Sequence, residues 1–450
     1  MIYLISLFVL VLSAILFKMS AGTLDFKRMN LVSIIFYKDF VLMTFFGVLL
    51  IATSFDIYSN EYFWGITGHV SEQSRYYGWL STMYTFLVFP IGMILANFIF
   101  LRKFDIKKDI KKYFFSPTLP FISLKESSIF FVLVCALIVS TLAILYVFAM
   151  IGKIPILYLF SGADALFLGQ LRGDAKIGFS GIVAIRDIIA INFTLLLSLI
   201  LYAYKLYYKK GKFKLLFYYS FILVILALTY NLEKSPIFFY IFGLLIVRII
   251  FYGYVSIGKL IFTALIMMIG VALFLSFFVG EDILKALLFR VLVGQSVAIF
   301  QGFEYFPNVH EFLGWSGISK LFASLSGEDL KISGRILFEI YNPRAVEIGT
   351  AGYIVGLFNA EAWMLFGFLG VLLAPLYVGF FVQILHIFLL KNKKTPIFIG
   401  LYAYFCIKLP LSGTIATFLY PTLIISVIVF VWLIIITAKI LNQKYNWRKY

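Results

Sequence analysis

The sequence predicts an all-α polytopic membrane protein, and three properties of its 450 residues support this class. Hydrophobic residues make up 63% of the chain, charged residues only 13%, and the mean hydropathy is +1.02. A soluble globular chain carries about 25% charged residues and about half apolar residues. Apolar runs of the roughly 20 residues that cross a bilayer recur along the chain. We therefore expect a single integral membrane domain over residues 1–450.

About eleven apolar runs have the length and composition of membrane-spanning helices. The first begins at Met1 without a basic n-region or a small-residue cleavage motif, so we interpret it as a retained span. Cys135 and Cys406 both lie inside apolar runs and indicate neither a disulfide framework nor a metal cluster. The predicted spans cover residues 1–17, 32–55, 78–101, 127–151, 187–204, 215–230, 236–253, 260–280, 361–390, 396–415 and 418–438.

Lysine-rich joints between the spans predict the orientation, because Lys and Arg stay on the cytoplasmic side of short loops. The alternation of eleven spans puts four such segments on one side: "RKFDIKKDIKK", "KLYYKKGKFK", "KNKK" and "KILNQKYNWRKY". The N-terminus is then outside and the C-terminus is cytoplasmic. This topology also accounts for the net charge of +17, so the charge does not require a nucleic-acid partner.

Two of the predicted outer segments are much longer than the others, and they cover residues 152–186 and 281–360. Loops beyond about 15 residues are usually functional or disordered. Both segments are rich in Leu, Ile, Phe and Gly, which argues against disorder, so we expect short helices within them. The stretch "ILKALLFRVLVGQ", which begins at residue 283, has apolar residues at helical spacing and predicts an amphipathic helix in the interface.

Arginine is concentrated on the predicted outer side, and five of the outer arginines lie in the two long loops. A guanidinium group binds phosphate through two parallel hydrogen bonds and does not lose its proton. We therefore predict phosphate contacts for these arginines. The alternative is salt bridging within the loops, for example Arg172 with Asp174 or Arg186 with Asp187. The outer arginines are Arg75, Arg172, Arg186, Arg290, Arg335 and Arg344.

Glu361 is a carboxylate at the mouth of an otherwise apolar span, where an ionisable group is costly and therefore a functional candidate. We predict that Glu361 accepts a proton in catalysis, with Glu339 as the second candidate. The alternative is that Glu361 pairs with Arg335 or Arg344 and orders the loop.

Two further outer residues are candidates for substrate contacts. Lys234 in the short turn "NLEKSP" either adds a phosphate contact or pairs with Glu233. His310 either accepts a proton or has a structural role. The three histidines and the scattered carboxylates show no metal-ligand spacing, so we expect neither a metal site nor a cofactor.

The chain resembles the O-antigen polymerase family (Wzy-type oligosaccharide repeat-unit polymerases). The resemblance rests on the polytopic topology, the arginine-rich outer loop and the entry to the span that follows it. That entry reads "GT-A-G…N-A-E-A-W…F-G-F-L-G". Its residues are Gly349, Thr350, Gly352, Asn359, Glu361, Trp363, Phe366, Gly367 and Gly370.

The resemblance implies a bacterial inner-membrane glycosyltransferase that needs no metal and has a fold similar to the GT-C class. Its donor is a growing glycan on undecaprenyl diphosphate, and its acceptor is a single lipid-linked repeat unit. The product is O-antigen or capsular polysaccharide, and a chain-length regulator protein is an implied partner. Arg172 belongs to the shorter loop's phosphate-binding set. The phosphate-binding set of the longer loop consists of Arg290, Arg335 and Arg344.

Other functions use the same substrate chemistry. A flippase for lipid-linked oligosaccharide would bind it in a central cavity between paired structural repeats, whereas the basic residues here lie in two outer loops. An O-antigen ligase fits less well, because the chain offers no clear histidine base. A sensor or assembly partner would not need clustered arginines.

Overall fold

The computed structural model describes residues 1–54, 70–120, 125–162, 164–176, 178–233, 235–276, 289–347 and 352–447. Regular structure in these residues is helical, apart from one antiparallel bridge between Leu357 and Ser412. The chain is therefore an all-helical protein over its described length, as its composition predicts.

Nine described helices are long and apolar enough to cross a membrane, which confirms a polytopic membrane protein. They are α1 (Ile2–Ala21), α2 (Leu31–Ala52), α3 (Glu72–Leu101), α5 (Glu126–Ile151), α8 (Ile185–Tyr208), α9 (Gly211–Thr229), α10 (Ser235–Tyr252), α16 (Phe358–Lys391) and α19 (Thr422–Trp447). The shorter helices are α4 (Lys107–Phe115), α6 (Pro155–Phe160), α7 (Ala165–Lys176), α11 (Ile257–Ser276, of which the described apolar part is Ile257–Ile266), α12 (Val297–Tyr305), α13 (Lys320–Leu325), α14 (Ser333–Tyr341), α15 (Pro343–Glu347), α17 (Pro396–Lys408) and α18 (Ala416–Leu419).

The predicted span 396–415 is wrong in its length. Its helix, α17, has 13 residues and ends at Lys408. Leu409 is extended (φ −70°, ψ 114°), as expected for a residue that precedes a proline. Pro410 therefore ends the helix, and residues 409–415 continue as a non-helical segment, which we call the central loop.

Glycines allow the longest helices to pack backbone against backbone. A Cβ at Gly92 of α3 would clash with the Leu376 carbonyl of α16, and a Cβ at Gly379 of α16 would clash with the Phe89 carbonyl of α3. Small residues let membrane helices approach closely, so that van der Waals packing holds them together. α3 and α16 thus form a central pair.

The segments that connect the helices contact each other in two groups, one at each end of the bundle. At one end, hydrogen bonds or ion pairs join Lys27 to Val255, Leu119 to Lys394 and Lys210 to Glu126. At the other end, they join Ser71 to Glu304 and Lys176 to Glu233. Each group contains segments that the predicted topology puts on one side of the membrane. The predicted alternation is therefore consistent with the packing.

The two long segments between spans contain short helices. α6 and α7 lie between α5 and α8, and α12 to α15 lie between α11 and α16. Most of the predicted amphipathic helix after residue 283 lies outside the described residues, and the part from Phe289 to Val293 is π-helical. These short helices carry four of the predicted site residues: Arg172 on α7, Arg335 and Glu339 on α14, and Arg344 on α15.

α16 is interrupted at Gly367, whose φ of +60° and ψ of −138° are not helical. This φ lies in the region that favours glycine, since a Cβ would be strained there. The interruption separates the first turns of α16, which carry Glu361, from the longer part that packs against α3. Glu361 thus lies on a short helical segment at one end of the bundle.

Candidate functional site

The central loop crosses the end of the bundle and pairs with the segment that leads into α16. Phe358 N donates to Leu411 O (2.9 Å), and Gly413 N donates to Gly356 O (2.8 Å). These two bonds flank the bridge between Leu357 and Ser412. They bring residues 413–416 next to Glu361, which is 55 positions before Ala416 in the sequence.

Glu361 is buried, with 6% of its surface exposed, and neutral donors surround its carboxylate. Oε1 accepts from Ser333 Oγ (3.3 Å) and Oε2 accepts from Ala416 N (3.2 Å). The Thr414 side chain and the Ile415 backbone N–H also interact favourably with the carboxylate. The alternative in which Glu361 pairs with Arg335 or Arg344 is therefore wrong. The buried carboxylate is held by hydroxyl and amide groups, as buried polar groups require.

Glu361 faces a cavity of about 420 Å³, within the roughly 300–1,000 Å³ typical of ligand sites. Most of its wall comes from the start of α14, from the first turns of α16 with the segment before them, and from the chain between the central loop and the start of α19; Ala298 of α12, Gly317 and Ile318 complete it. Polar groups on the wall come from Glu361, Ser333, Thr414, Thr417, Tyr353 and Tyr420. The cavity therefore combines one carboxylate with several hydroxyl groups and two aromatic rings.

A group of basic residues, which we call the basic cluster, surrounds Glu233 at the same end of the bundle. Lys176 Nζ lies 2.7 Å from Glu233 Oε1, and Arg172 lies one helical turn before Lys176 on the same face of α7. The cluster consists of Arg172, Lys176, Arg186 and Lys408, all of which interact electrostatically with Glu233.

The basic cluster keeps Glu233 ionised. Burial alone raises the pKa of the Glu233 carboxyl, but the positive charges of Lys176, Arg172 and Lys408 outweigh burial and bring the pKa below its ordinary value. A carboxylate with a lowered pKa remains negative at neutral pH. Glu233 is thus a fixed anion that holds these cations together.

Arg186 has a structural role in the basic cluster. Its Nε and Nη2 donate to Asp187 at 2.7 and 3.1 Å, which is the ion pair that the sequence offered as an alternative. Its Nη1 donates to the carbonyls of Ala175 and Lys176 at the end of α7 (3.3 and 2.8 Å). Arg186 is only 7% exposed. It therefore fixes the end of the helix that carries Arg172 and Lys176.

The basic cluster and the cavity adjoin each other at Tyr353. Lys176 Nζ lies 5.7 Å from the centre of the Tyr353 ring, within the reach of a cation–π contact. The same ring lines the cavity that contains Glu361. One tyrosine thus separates a group of cations from a cavity with a buried carboxylate.

Other predicted residues lie apart from Glu361. Arg335 Nε contacts Glu339 Oε1 at 2.7 Å on α14, and both side chains are nearly half exposed (48% and 44%). Arg344 is exposed on α15. The ring of His310 donates from Nδ1 to the Glu311 backbone oxygen at 2.8 Å, and the ring packs on Phe306 at 5.1 Å. Lys234 and the side chain of Arg290 lie outside the described residues.

Sequence reasoning missed Lys176, Lys408 and the donors to Glu361. Lys408 had a visible signal, because it is a lysine inside a predicted span. Ser333 and Thr414 had none, since hydroxyl groups are common in loops and only the packing brings these two to one carboxylate. Among the described residues, no group of three His, Cys, Asp or Glu side chains could hold a metal ion.

The chain was compared with family models, curated proteins and solved structures, and none of them matches it.

Proposed function

We propose that the chain is a glycosyltransferase that polymerises lipid-linked oligosaccharide repeat units without a metal ion. In this proposal it has a GT-C-like fold and eleven spans in the bacterial inner membrane, with the N-terminus outside and the C-terminus cytoplasmic. It transfers a growing glycan from undecaprenyl diphosphate to a lipid-linked acceptor, for O-antigen or capsular polysaccharide. The observation that carries the proposal is the contact of the basic cluster with the Glu361 cavity through Tyr353.

The proposed transfer needs a proton acceptor and a site for a leaving group. A hydroxyl of the acceptor sugar attacks the anomeric carbon of the donor, a new glycosidic bond forms, and the bond from that carbon to the diphosphate breaks. Glu361 takes the hydroxyl proton, because it is the buried carboxylate on the cavity wall. A base must lie within hydrogen-bond reach of the proton that it removes.

The basic cluster supplies the proposed site for the leaving diphosphate. Negative charge develops on the diphosphate as its bond to the sugar breaks, and fixed positive groups stabilise that charge. Lys176 is oriented by Glu233, and Arg186 fixes the end of its helix. The groups are therefore held in place before the substrate binds, and no reorganisation is needed during the reaction.

Polymerisation uses two lipid-linked substrates, and each of them carries a diphosphate. The exposed Arg335 and Arg344 are the proposed contacts of the acceptor diphosphate, since α14 begins at the cavity wall with Ser333 and Gly334. Arg290, Lys234 and His310 remain proposed substrate contacts. Glu339 orients Arg335 through their ion pair. A chain-length regulator protein is a proposed partner.

The experiment is extension of a lipid-linked oligosaccharide by the purified protein in detergent, without nucleotide sugar or added metal. We expect a ladder of products that differ by one repeat unit, detected by mass spectrometry, and no ladder from Glu361→Gln. Transfer of the oligosaccharide to another lipid acceptor without a ladder would identify a ligase. Movement of the substrate across a vesicle membrane without extension would identify a flippase, and either result would overturn the proposal.

A further inference from the structure

A second buried carboxylate lies next to the central loop and has no part in the proposed reaction. Asp39 is on α2 and is 1% exposed. Its Oδ1 accepts from Ser412 Oγ at 3.1 Å and lies 3.4 Å from Lys38 Nζ. Placing an ionisable residue within a membrane span costs free energy, so such a residue is a functional candidate. Asp39 and Ser412 are 373 residues apart in the sequence, so helix packing brings them together.

The backbone around Asp39 is π-helical over Phe36–Phe45. The hydroxyl of Thr44 donates to the carbonyl of Asp39, five residues earlier, at 2.6 Å. π-helical turns are uncommon and occur frequently at functional sites. The altered turn sets the direction of the Asp39 side chain.

Ser412 connects Asp39 to the groups that hold Glu361. It is a central-loop residue, and the chain that follows it supplies the Ala416 N–H to the Glu361 carboxylate and brings the Thr414 side chain to the same group. The opposite edge of the loop is held by backbone bonds to Gly356 and Phe358. Asp39 therefore adds a side-chain bond at Ser412 to a loop that backbone bonds attach to the segment before α16.

From this chain of contacts we infer that Asp39 is a positioning residue: through Ser412 it holds the central loop so that Thr414 and Ala416 orient Glu361. The inference rests on the proposed function, because it gives Glu361 its catalytic role. Asp39 does not line the cavity, so it does not touch the substrate. Its loss should slow the reaction without weakening substrate binding.

The test compares Ser412→Ala, Ser412→Thr, Asp39→Ala and the double variant Asp39→Ala/Ser412→Ala. Each alanine variant removes the buried bond that holds the loop, so we expect kcat to fall about tenfold or more, with KM unchanged. The double variant should lose no more than either single variant, because both remove the same contact. Ser412→Thr keeps the hydroxyl and should restore most of kcat.

Ser13→Ala is the matched control. It removes another buried serine hydroxyl bond, from Ser13 Oγ to Phe86 O (2.7 Å), and Ser13 is not on the cavity wall. Its kcat and KM should equal those of the wild type. A fall in Ser13→Ala as large as that in Ser412→Ala would mean that any lost buried bond slows the enzyme, and this would overturn the inference.

Hydrogen exchange of the Ala416 amide tests the same contact without an activity assay. This amide donates to Glu361, so its exchange should accelerate about tenfold in Ser412→Ala and remain slow in Ser412→Thr and Ser13→Ala. An exchange rate in Ser412→Ala equal to that of the wild type would overturn the inference. This outcome can be read even if Asp39→Ala does not fold. If the wild type makes no polymer, the proposed function fails, and exchange still decides whether Asp39 and Ser412 position the loop.

Discussion

The basic residues of the two long loops are arranged in opposite ways. Arg172, Lys176 and Arg186 of residues 152–186 interact with Glu233, and Lys176 also lies next to Tyr353 on the cavity wall. Arg335 in the longer loop pairs with Glu339 on the exposed face of one short helix. The first arrangement joins helices that are distant in the sequence, whereas the second joins residues one helical turn apart.

The difference shows how these positive groups can serve different tasks. An exposed ion pair four residues apart on a helix contributes only about 0.3–0.5 kcal/mol, so Arg335 can leave Glu339 for a phosphate at little cost. The Lys176 side chain is about as exposed as that of Arg335 (46% and 48%), but its partner Glu233 is less exposed than Glu339 (32% and 44%), and Arg186 fixes the end of its helix. This difference supports the proposal that the basic cluster contacts the leaving diphosphate and that Arg335 and Arg344 contact the acceptor diphosphate.

The largest expected effect separates the two candidate bases. Glu361→Gln keeps the shape of the side chain but cannot accept a proton, so the rate of chain extension should fall about 10²- to 10⁴-fold. Glu339→Gln should lower it by less than about threefold, since an exposed ion pair contributes so little. Both rates are measured by product ladders from purified protein. Equal losses in the two variants would contradict the choice of the buried Glu361 over the exposed Glu339 as the base.

A smaller effect is expected from the basic cluster. Lys176→Gln removes a fixed charge next to the leaving diphosphate, and kcat should fall about tenfold to a hundredfold because stabilisation of the developing charge is lost. The matched control is Lys331→Gln, which breaks the exposed pair of Lys331 with Glu328 (3.0 Å). If kcat falls equally in the control, net charge rather than position determines the rate.

Arg335→Lys tests the exposed pair. Lysine keeps the charge but loses the two-pronged contact with phosphate, so KM for the acceptor should rise about threefold to tenfold while kcat changes less. The measurement varies the acceptor concentration at saturating donor. An unchanged KM for both Arg335→Lys and Arg344→Lys would show that these arginines do not contact the acceptor.

Salt should produce the smallest effect and should act unequally on the two regions. The screening length falls to about 8 Å at 0.15 M ionic strength, and exposed charges are screened more than partly buried ones. KM for the acceptor should therefore increase more than KM for the donor as salt is added. Equal increases in the two constants would contradict the assignment of two different phosphate sites.

Sequence patterns predicted the class of fold well and the site only in part. Long apolar runs identify membrane helices because span length is fixed by bilayer thickness. The helix α17 ends before Pro410, whereas the apolar run continues beyond it. Hydropathy did not predict this end, because the hydropathy of a run does not depend on where its helix stops. Glu361 stood out as a charge in an apolar run, but its partners did not, and the alternative of an arginine partner was wrong.

The sequence by itself determined the membrane class, the apolar segments and the unusual position of Glu361. These are local properties, because the hydropathy of a run depends only on the residues within it. The tertiary structure decided which groups meet: Lys176 with Glu233, Ser412 with Asp39, and Ser333 with Glu361. Such pairs are separated by 28 to 373 residues. They depend on how helices pack, and that packing depends on side chains along several helices at once.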